Sequence, residues 1–446
     1  MKKLSIKESA RAVALETLIN VFKNNSYSNI TLNSRLNKVK LSQADTNLAT
    51  KIVYGTIQYK ILLEYQLKQL LKSKLTEKYL EPLLLMSLYQ LIFLDKIPAN
   101  AVLDEANKLA KAYGKSHSNG YKLVNGILRN FTRKGLVLPE VKQVGLVSYL
   151  SIKDSMPEWL VQYFIENWGE QRAETILASF NENAKNSLRI SNLADRDKVL
   201  AELNEKGYEP VDSNLATNSV IVAHGGIAEN SLFADGKVTI QDEAASLVAD
   251  VFDLSGDEQV LDACSAPGGK TIQIAERLST GSVTALDIHP KKLNLVKQNA
   301  ERMGVASRIK TIALDAKKTN TFFSDQQFDR ILVDAPCSGL GLLRRKPEIR
   351  YGKSQKDLEN LQQIQLAILD SVSKVLAKKG ELVYSTCTIT HEEDEDVIEQ
   401  FLADHPQFEL LPFELPNIST ETGMLKILPD SFGSDGFFIA KLKLRG

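Results

Sequence analysis

Two short runs place thiols beside groups that can steer them: Asp334-Ala335-Pro336-Cys337-Ser338-Gly339 and Ser385-Thr386-Cys387-Thr388. A free cysteine is most often a small buried hydrophobe. These two stand just past apolar, strand-like stretches at 329–335 and 380–386, and the first follows an aspartate. A thiolate is a strong nucleophile once nearby positive charge or a helix N-terminus lowers its pKa. Carbon 5 of a pyrimidine is not nucleophilic by itself, and a thiolate adding to C6 makes it enamine-like. The ring then needs an acid at N3 and a base that removes the C5 proton so that the thiol can leave. An aspartate and two thiols at one crevice meet that demand. The chemistry alone leaves Cys337 and Cys387 interchangeable as nucleophile.

A second constellation is Asp262-Ala263-Cys264-Ser265-Ala266-Pro267-Gly268-Gly269-Lys270-Thr271, where a strand turns into a helix. Glycines there allow close backbone approach to a ligand, and a helix N-terminus offers unpaired N–H groups to a carboxylate. The glycine spacing is not that of a P-loop. Asp287 closes the next strand, about 20 residues on, where an acid commonly binds ribose hydroxyls. Asp315 and Asp334 end the third and fourth strands. Any one of these acids alone reads as a cap or loop residue. Four in register, with Asp262, point to a nucleoside-containing cofactor.

The elements that must position these residues follow from the chain's texture. Strand candidates at 259–264, 282–288, 308–316, 329–335, 380–386 and 436–442 alternate with helical stretches such as 270–278 and 290–303. That alternation predicts a mostly parallel, doubly wound α/β sheet over 236–446, with ligands at the carboxyl ends of its strands. Residues 1–135 read as an all-α bundle: Ala10, Val13, Ala14, Leu15, Leu18, Ile19 and Phe22 recur at helical spacing, as do Leu62, Leu63, Leu67, Leu70 and Leu71. Residues 136–235 form a third part, a connector over 136–155 followed by mixed helix and short strands at 187–191 and 219–223.

The chain has 446 residues, 43% hydrophobic and 25% charged, which suits a globular protein of two or three domains. It holds no apolar run of about 18 residues, so no spanning helix and no membrane partner are expected. The stretch from Met1 to Glu8 has charge but no apolar h-region, which makes it a poor signal peptide. Three widely spaced cysteines form no zinc-like cluster with the five histidines, so no metal is expected, and free thiols suit a reducing cytoplasm. The net charge of zero hides an asymmetry: residues 1–135 hold about 22 Lys/Arg against about 9 Asp/Glu, a plausible phosphate-facing surface. The basic run Arg344-Arg345-Lys346, with Arg350, Lys353 and Lys356, directly follows the Cys337 loop and is a candidate for RNA phosphate contact. His289 and His391 read as turn or cap residues, and the acidic run 392–396 as a solvated helix start.

Together the runs at 261–271, 334–339 and 385–388 resemble the Sun/NOL1/NOP2 family of RNA cytosine-5 methyltransferases, and the likeness extends through Gln241-Asp242-Glu243-Ala244-Ala245-Ser246 and Asp435-Gly436-Phe437-Phe438. In the first part, Val53-Tyr54-Gly55-Thr56, Ile97-Pro98-Ala99-Asn100 and Val124-Asn125-Gly126-Ile127-Leu128-Arg129 are similar to NusB-like RNA-binding domains. The resemblance implies three domains: a NusB-like helical bundle at 1–135, a small α+β RNA-contacting subdomain at 136–235, and a Rossmann-like class I S-adenosylmethionine methyltransferase domain at 236–446. It implies that Cys264, Ser265, Ala266, Pro267, Gly268, Gly269 and Lys270 cradle the methionine end of the cofactor. Asp287 would hold the ribose, Asp315 would lie by the adenine, and Asp334 between cofactor and target base. It also orders the thiols, with Cys387 as nucleophile and Cys337 assisting release. Ser265 stands where the family usually has alanine, and a small residue fits. The substrate implied is a cytosine of 16S small-subunit ribosomal RNA, unstacked or presented in a loop. The same chemistry on transfer RNA is the alternative, and the NusB-like part favours ribosomal RNA. An inert methyltransferase-like domain in an RNA-binding factor is the reading from another class; both thiols and all four aspartates argue against it. A cytoplasmic monomer is expected.

Overall fold

The structure, a computed structural model, describes residues 6–24, 28–115 and 119–445. Met1 to Ser5, part of the stretch that lacks an h-region, lie outside the described residues. The chain divides into two compact units, Met1–Asn181 with Lys346–Gly352, and Glu182–Arg345 with Lys353–Gly446.

The first unit is helical. Helices Ala10–Asn24, Gln43–Gln58, Lys60–Leu70, Leu80–Phe93, Ala99–Tyr113 and Gly120–Lys134 share one core that includes Leu15, Leu18, Ile52, Leu84, Leu88, Leu109 and Leu128. Leu80–Phe93 is apolar on nearly every side and buries ten consecutive or near-consecutive residues, as a helix at the centre of a bundle must. Helical structure runs past 135: Val141–Val144 and Leu146–Asp154 occupy the stretch expected as a connector, and Glu158–Trp168 and Glu170–Ser179 follow. Segment Lys346–Gly352 belongs to this unit. Its Arg350 is fully buried and donates to the carbonyls of Gln58 (3.2 Å) and Ser155 (3.1 Å) and to Asn181 Oδ1 (3.2 Å).

The second unit opens with a four-stranded antiparallel sheet, β1 (Asn186–Ile190), β2 (Val211–Asp212), β3 (Ser219–Val222) and β4 (Val238–Ile240), in the order β2-β3-β1-β4. Leu188, Ile190, Val220 and Val222 pack against Val199 and Leu203 of helix Arg196–Glu205. The large sheet contains β5 (Gln259–Asp262), β6 (Ser282–Asp287), β7 (Ile309–Ala313), β8 (Phe328–Asp334), β9 (Leu376–Thr386), β10 (Phe408–Leu410), β13 (Met424–Ile427) and β14 (Phe437–Leu444). A separate hairpin pairs β11 (Phe413–Leu415) with β12 (Ile418–Thr420). The large sheet runs β10-β14-β9-β8-β5-β6-β7, with β13 on β14. Pairs β5–β6, β6–β7, β5–β8 and β8–β9 are parallel, and β14 is antiparallel to β9. Apolar residues fill both faces, Val260, Val283 and Leu332 on one and Leu261, Leu286 and Val333 on the other, the pattern of a sheet covered on both sides. From β5 the chain builds outward through β6 and β7, then returns to place β8 on the other side of β5. That reversal leaves a crevice at the carboxyl ends of β5 and β8.

Candidate active site

Asp262 and Asp334 close β5 and β8, the two strands that flank the reversal, while Asp287 closes β6 and Asp315 follows β7. The four acids therefore lie at one edge of the sheet, as the strand pattern predicts. Their environments differ. Asp262 is buried, accepts from Thr271 Oγ1 at 2.6 Å, and burial pushes its carboxyl up to about 7. Asp287 accepts from the His289 N–H at 2.7 Å, and Asp315 from the Lys317 N–H at 3.0 Å. His289 occupies the N-cap position of helix Pro290–Arg302, as expected of a cap residue. Asp334 is held on both oxygens, by Lys270 Nζ at 2.7 Å and Ser385 Oγ at 2.9 Å.

The turn between β5 and helix Gly269–Ala275 is built for close approach. Gly268 sits at φ +107°, and a Cβ there would lie 3.2 Å from Val296 Cα. Ser265 points its hydroxyl at the Leu286 carbonyl (2.9 Å), and its own N–H bonds the same carbonyl (2.8 Å), stitching the turn to β6. Cys264 is half-buried beside the four acids, and desolvation, followed by their charges, pushes its thiol well up. Lys270 is half-buried near the carboxylates. Burial opposes its charge, but Asp334 more than compensates and its ammonium is held above the usual range, with Cys387 also acting on it.

Cys337 and Cys387 meet: Sγ to Sγ is 3.3 Å. Both thiols are free. The loop after β8 and the loop after β9 interlock through backbone. Gly341 N–H donates to the Cys387 carbonyl (3.1 Å) and Gly436 N–H to the Gly341 carbonyl (2.9 Å). A Cβ on Gly341 would stand 2.0 Å from Gly436 O and 2.8 Å from Cys387 O, so only glycine fits. This gives the Asp435-Gly436 pair a physical role, since Gly436 lets three loops pack at one point.

Two sequence expectations are corrected. The three arginines of the basic run after Cys337 turn inward, while Lys346 and Lys356 are exposed and Lys353 is half-buried. Arg344 is buried and donates to the carbonyls of Pro429 (2.8 Å) and Ser434 (3.2 Å), and Arg345 bridges Asp242 (2.9 Å) and Asp435 (2.6 Å). With Arg350 also buried, these guanidiniums are committed to protein carbonyls and carboxylates rather than to phosphate. The acidic run is not solvated throughout either. Glu393 and Asp394 are both 0% exposed, Glu393 accepting from Ser338 N–H at 2.7 Å and Asp394 from Thr386 Oγ1 at 2.6 Å. The available signal was the alternation Thr386, Thr388, Thr390, all buried, which carries hydroxyls inward towards those acids. Among the described residues no group of three or more His, Cys, Asp or Glu is placed to hold a metal, and no helix is long and apolar enough to cross a membrane.

Known proteins share this architecture. Residues 249–443 match the family model described as 16S rRNA methyltransferase RsmB/F, residues 8–133 match the NusB family, and residues 156–227 match the ferredoxin-like domain of RsmF/B-like methyltransferases. The chain is 41% identical to the probable ribosomal RNA small subunit methyltransferase B of Bacillus subtilis (strain 168), over 99% of this chain and 100% of that one. It is 34% identical to its Synechocystis counterpart, over 98% and 99% of the two chains. A methyltransferase homologue from Pyrococcus horikoshii, 25% identical, superposes with a TM-score of 0.59 over 67% of this chain and 98% of that one. A further crystal structure, 24% identical with a TM-score of 0.83 over 99% of both chains, shares the fold. With thiols, acids and glycines on the shared framework, the chain belongs to the ribosomal RNA small subunit methyltransferase B family.

Proposed function

We propose that this ribosomal RNA methyltransferase transfers a methyl group from S-adenosylmethionine to C5 of a cytosine in 16S ribosomal RNA, through a covalent bond from Cys387 to ring C6. The observation that carries the reading is the 3.3 Å thiol pair standing beside the Lys270–Asp334–Ser385 cluster at the switch point of the sheet. The residues fit the cofactor. Gly268 makes a cradle that a side chain would close, Asp287 is an acid at the end of β6, and Ile288 beside it is apolar yet 58% exposed, a surface suited to a flat base. Residues 264–270, Asp287, Asp315 and Asp334 would hold it, and when bound it supplies an electrophilic methyl group. The three-part division at about 135 and 235 belongs to the same reading.

The chain's own residues divide the work. Cys387 attacks as thiolate, with the Lys270 ammonium nearby. Its sulfur bonds C6 as electron density moves to C5 and N3. Asp334, fixed by Lys270 and Ser385, stands at the N3 side and shares a proton there. After methyl transfer the C5 proton passes to a base on the Cys337 side, its C–H electrons re-form the C5–C6 double bond, and the Cys387 sulfur leaves with the C6–S electron pair as thiolate.

The test is labelled S-adenosylmethionine with unmodified small-subunit RNA, beside Cys387→Ala and Cys337→Ala. Label at cytosine C5 with wild type, none with Cys387→Ala, and a trapped protein–RNA adduct with Cys337→Ala are expected. Full activity of Cys387→Ala would overturn the nucleophile assignment, and label on transfer RNA alone would move the substrate.

A further inference from the structure

Glu393 and Asp394 are consecutive buried acids that reach different sulfur-bearing loops. Glu393 accepts from the N–H of Ser338, the residue after Cys337, at 2.7 Å, and its second oxygen accepts from Thr390 Oγ1 at 2.9 Å. Gln365 Nε2 donates both to this carboxylate (3.3 Å) and to the carbonyl of Pro336 (3.0 Å), the residue before Cys337. Cys337 is thus bracketed on both sides by a network centred on Glu393. Ser338 Oγ and Thr388 Oγ1, 2.9 Å apart, join the residues that follow the two thiols. Asp394 holds the other loop through Thr386 Oγ1 and pairs with Lys426 at 3.1 Å. Glu393 shows no such ion pair among the described residues; its partners are an N–H, a hydroxyl and an amide.

A buried carboxylate without a cation is a poor device for stability, because desolvation opposes it and apolar packing would serve better. What it supplies is two acceptors at fixed reach. We propose that Glu393 is a positioning residue for Cys337, holding the Ser338 N–H so that the Cys337 sulfur stays against Cys387, through reach rather than charge. The catalytic part of the inference rests on the two-thiol chemistry proposed above; the geometric part does not.

Two variants separate reach from charge. Glu393→Gln keeps the length and one acceptor for Ser338, and its amide can donate to Thr390, whose hydroxyl can turn to Thr388 at 3.5 Å. Glu393→Asp keeps the charge but withdraws it by about 1.5 Å, one carbon–carbon bond. The full-length chain is treated with diamide, an azo oxidant. Each thiol loses its proton, one S–S bond forms between Cys337 and Cys387, and the N=N group takes up two electrons and two protons to become a hydrazine. Disulfide formation is followed by peptide mapping, with S-adenosylmethionine binding as the control for folding. We expect Glu393→Gln to stay close to wild type and Glu393→Asp to slow by about tenfold or more, the scale of a misplaced reacting group. Glu393→Asp should also accumulate covalent RNA adduct, as Cys337→Ala does, while Glu393→Gln should not. Equal rates in all three proteins, or a slow Glu393→Gln beside a fast Glu393→Asp, would overturn the proposal. Because oxidation needs no RNA, its rates judge Glu393 even if Cys387→Ala still methylates and the catalytic reading falls.

Discussion

Cys337 Sγ lies 3.3 Å from Cys387 Sγ, although fifty residues separate them in the chain. The hydrogen bond to Cys387, followed by burial, pushes the Cys337 thiol well above its ordinary range. Cys337 therefore gives up its proton less readily than an isolated thiol does. The sequence chemistry, which treats the thiols alike, has no access to this contact.

The pair makes a prediction about reactivity. Cys387→Ala removes the hydrogen-bond partner that raises Cys337. Iodoacetamide alkylation of Cys337, followed across pH, should then shift its midpoint downward by about one unit or more, the worth of such a bond. An unchanged midpoint would mean that Cys387 is not what raises the Cys337 thiol.

Lys270 is the second test. Its ammonium bridges the cofactor turn and Asp334, at 2.7 Å, with the two side chains 14% and 31% exposed. Lys270→Met leaves the carboxylate with Ser385 alone. Breaking a buried pair is expensive, but solvent reaches Asp334, so a loss of about 1–2 kcal/mol in urea unfolding is expected. Methyl transfer should fall by about a hundredfold, because both the Asp334 orientation and the positive charge near Cys387 are lost.

Asp262 predicts a pH dependence. Its carboxyl is raised to about 7 in the fold, chiefly by burial, from an ordinary value of 3.8. The folded state thus binds this proton more tightly than the unfolded chain does. The stabilisation is fully present below the unfolded value and is lost as pH rises towards 7. Between pH 5 and 6.5 this group should cost about 1 kcal/mol of stability per pH unit. Asp262→Asn should flatten the slope by that amount in denaturant titrations at stepped pH. An identical slope in the two proteins would place the titration elsewhere.

The framework of this site is legible in the sequence because its signals are local. Asp287 and Asp334 end strands rich in apolar residues, and Gly268-Gly269 sits where strand turns to helix. Edge elements such as β2, β10 and β13 are two to four residues long, too short for a period to register. Charge was the misleading signal. Arg344, Arg345, Glu393 and Asp394 look like surface residues, and each is buried or half-buried by partners far away in the chain. Arg345 meets Asp242 and Asp435, at separations of 103 and 90 residues. Nothing within a window of the sequence announces such a pairing.

Arg345 supplies the last prediction, which separates a structural from an RNA-binding guanidinium. A side chain on phosphate releases counterions, so removing it weakens RNA binding and lowers the salt slope by about one. Arg345 instead joins Asp242, the N-cap of helix Glu243–Ser246, to Asp435, which precedes the Gly436 packing point. Burial pushes the Asp435 carboxyl up, and the neighbouring Asp242 charge adds to this, so losing the guanidinium leaves two close carboxylates facing each other. Arg345→Ala should therefore lower unfolding stability by about 2–4 kcal/mol, less than a fully enclosed pair would because Arg345 is 31% exposed. At a temperature where the variant remains folded, its dependence of log K for small-subunit RNA on log salt should match wild type. A salt slope reduced by one, with stability unchanged, would return Arg345 to the RNA surface.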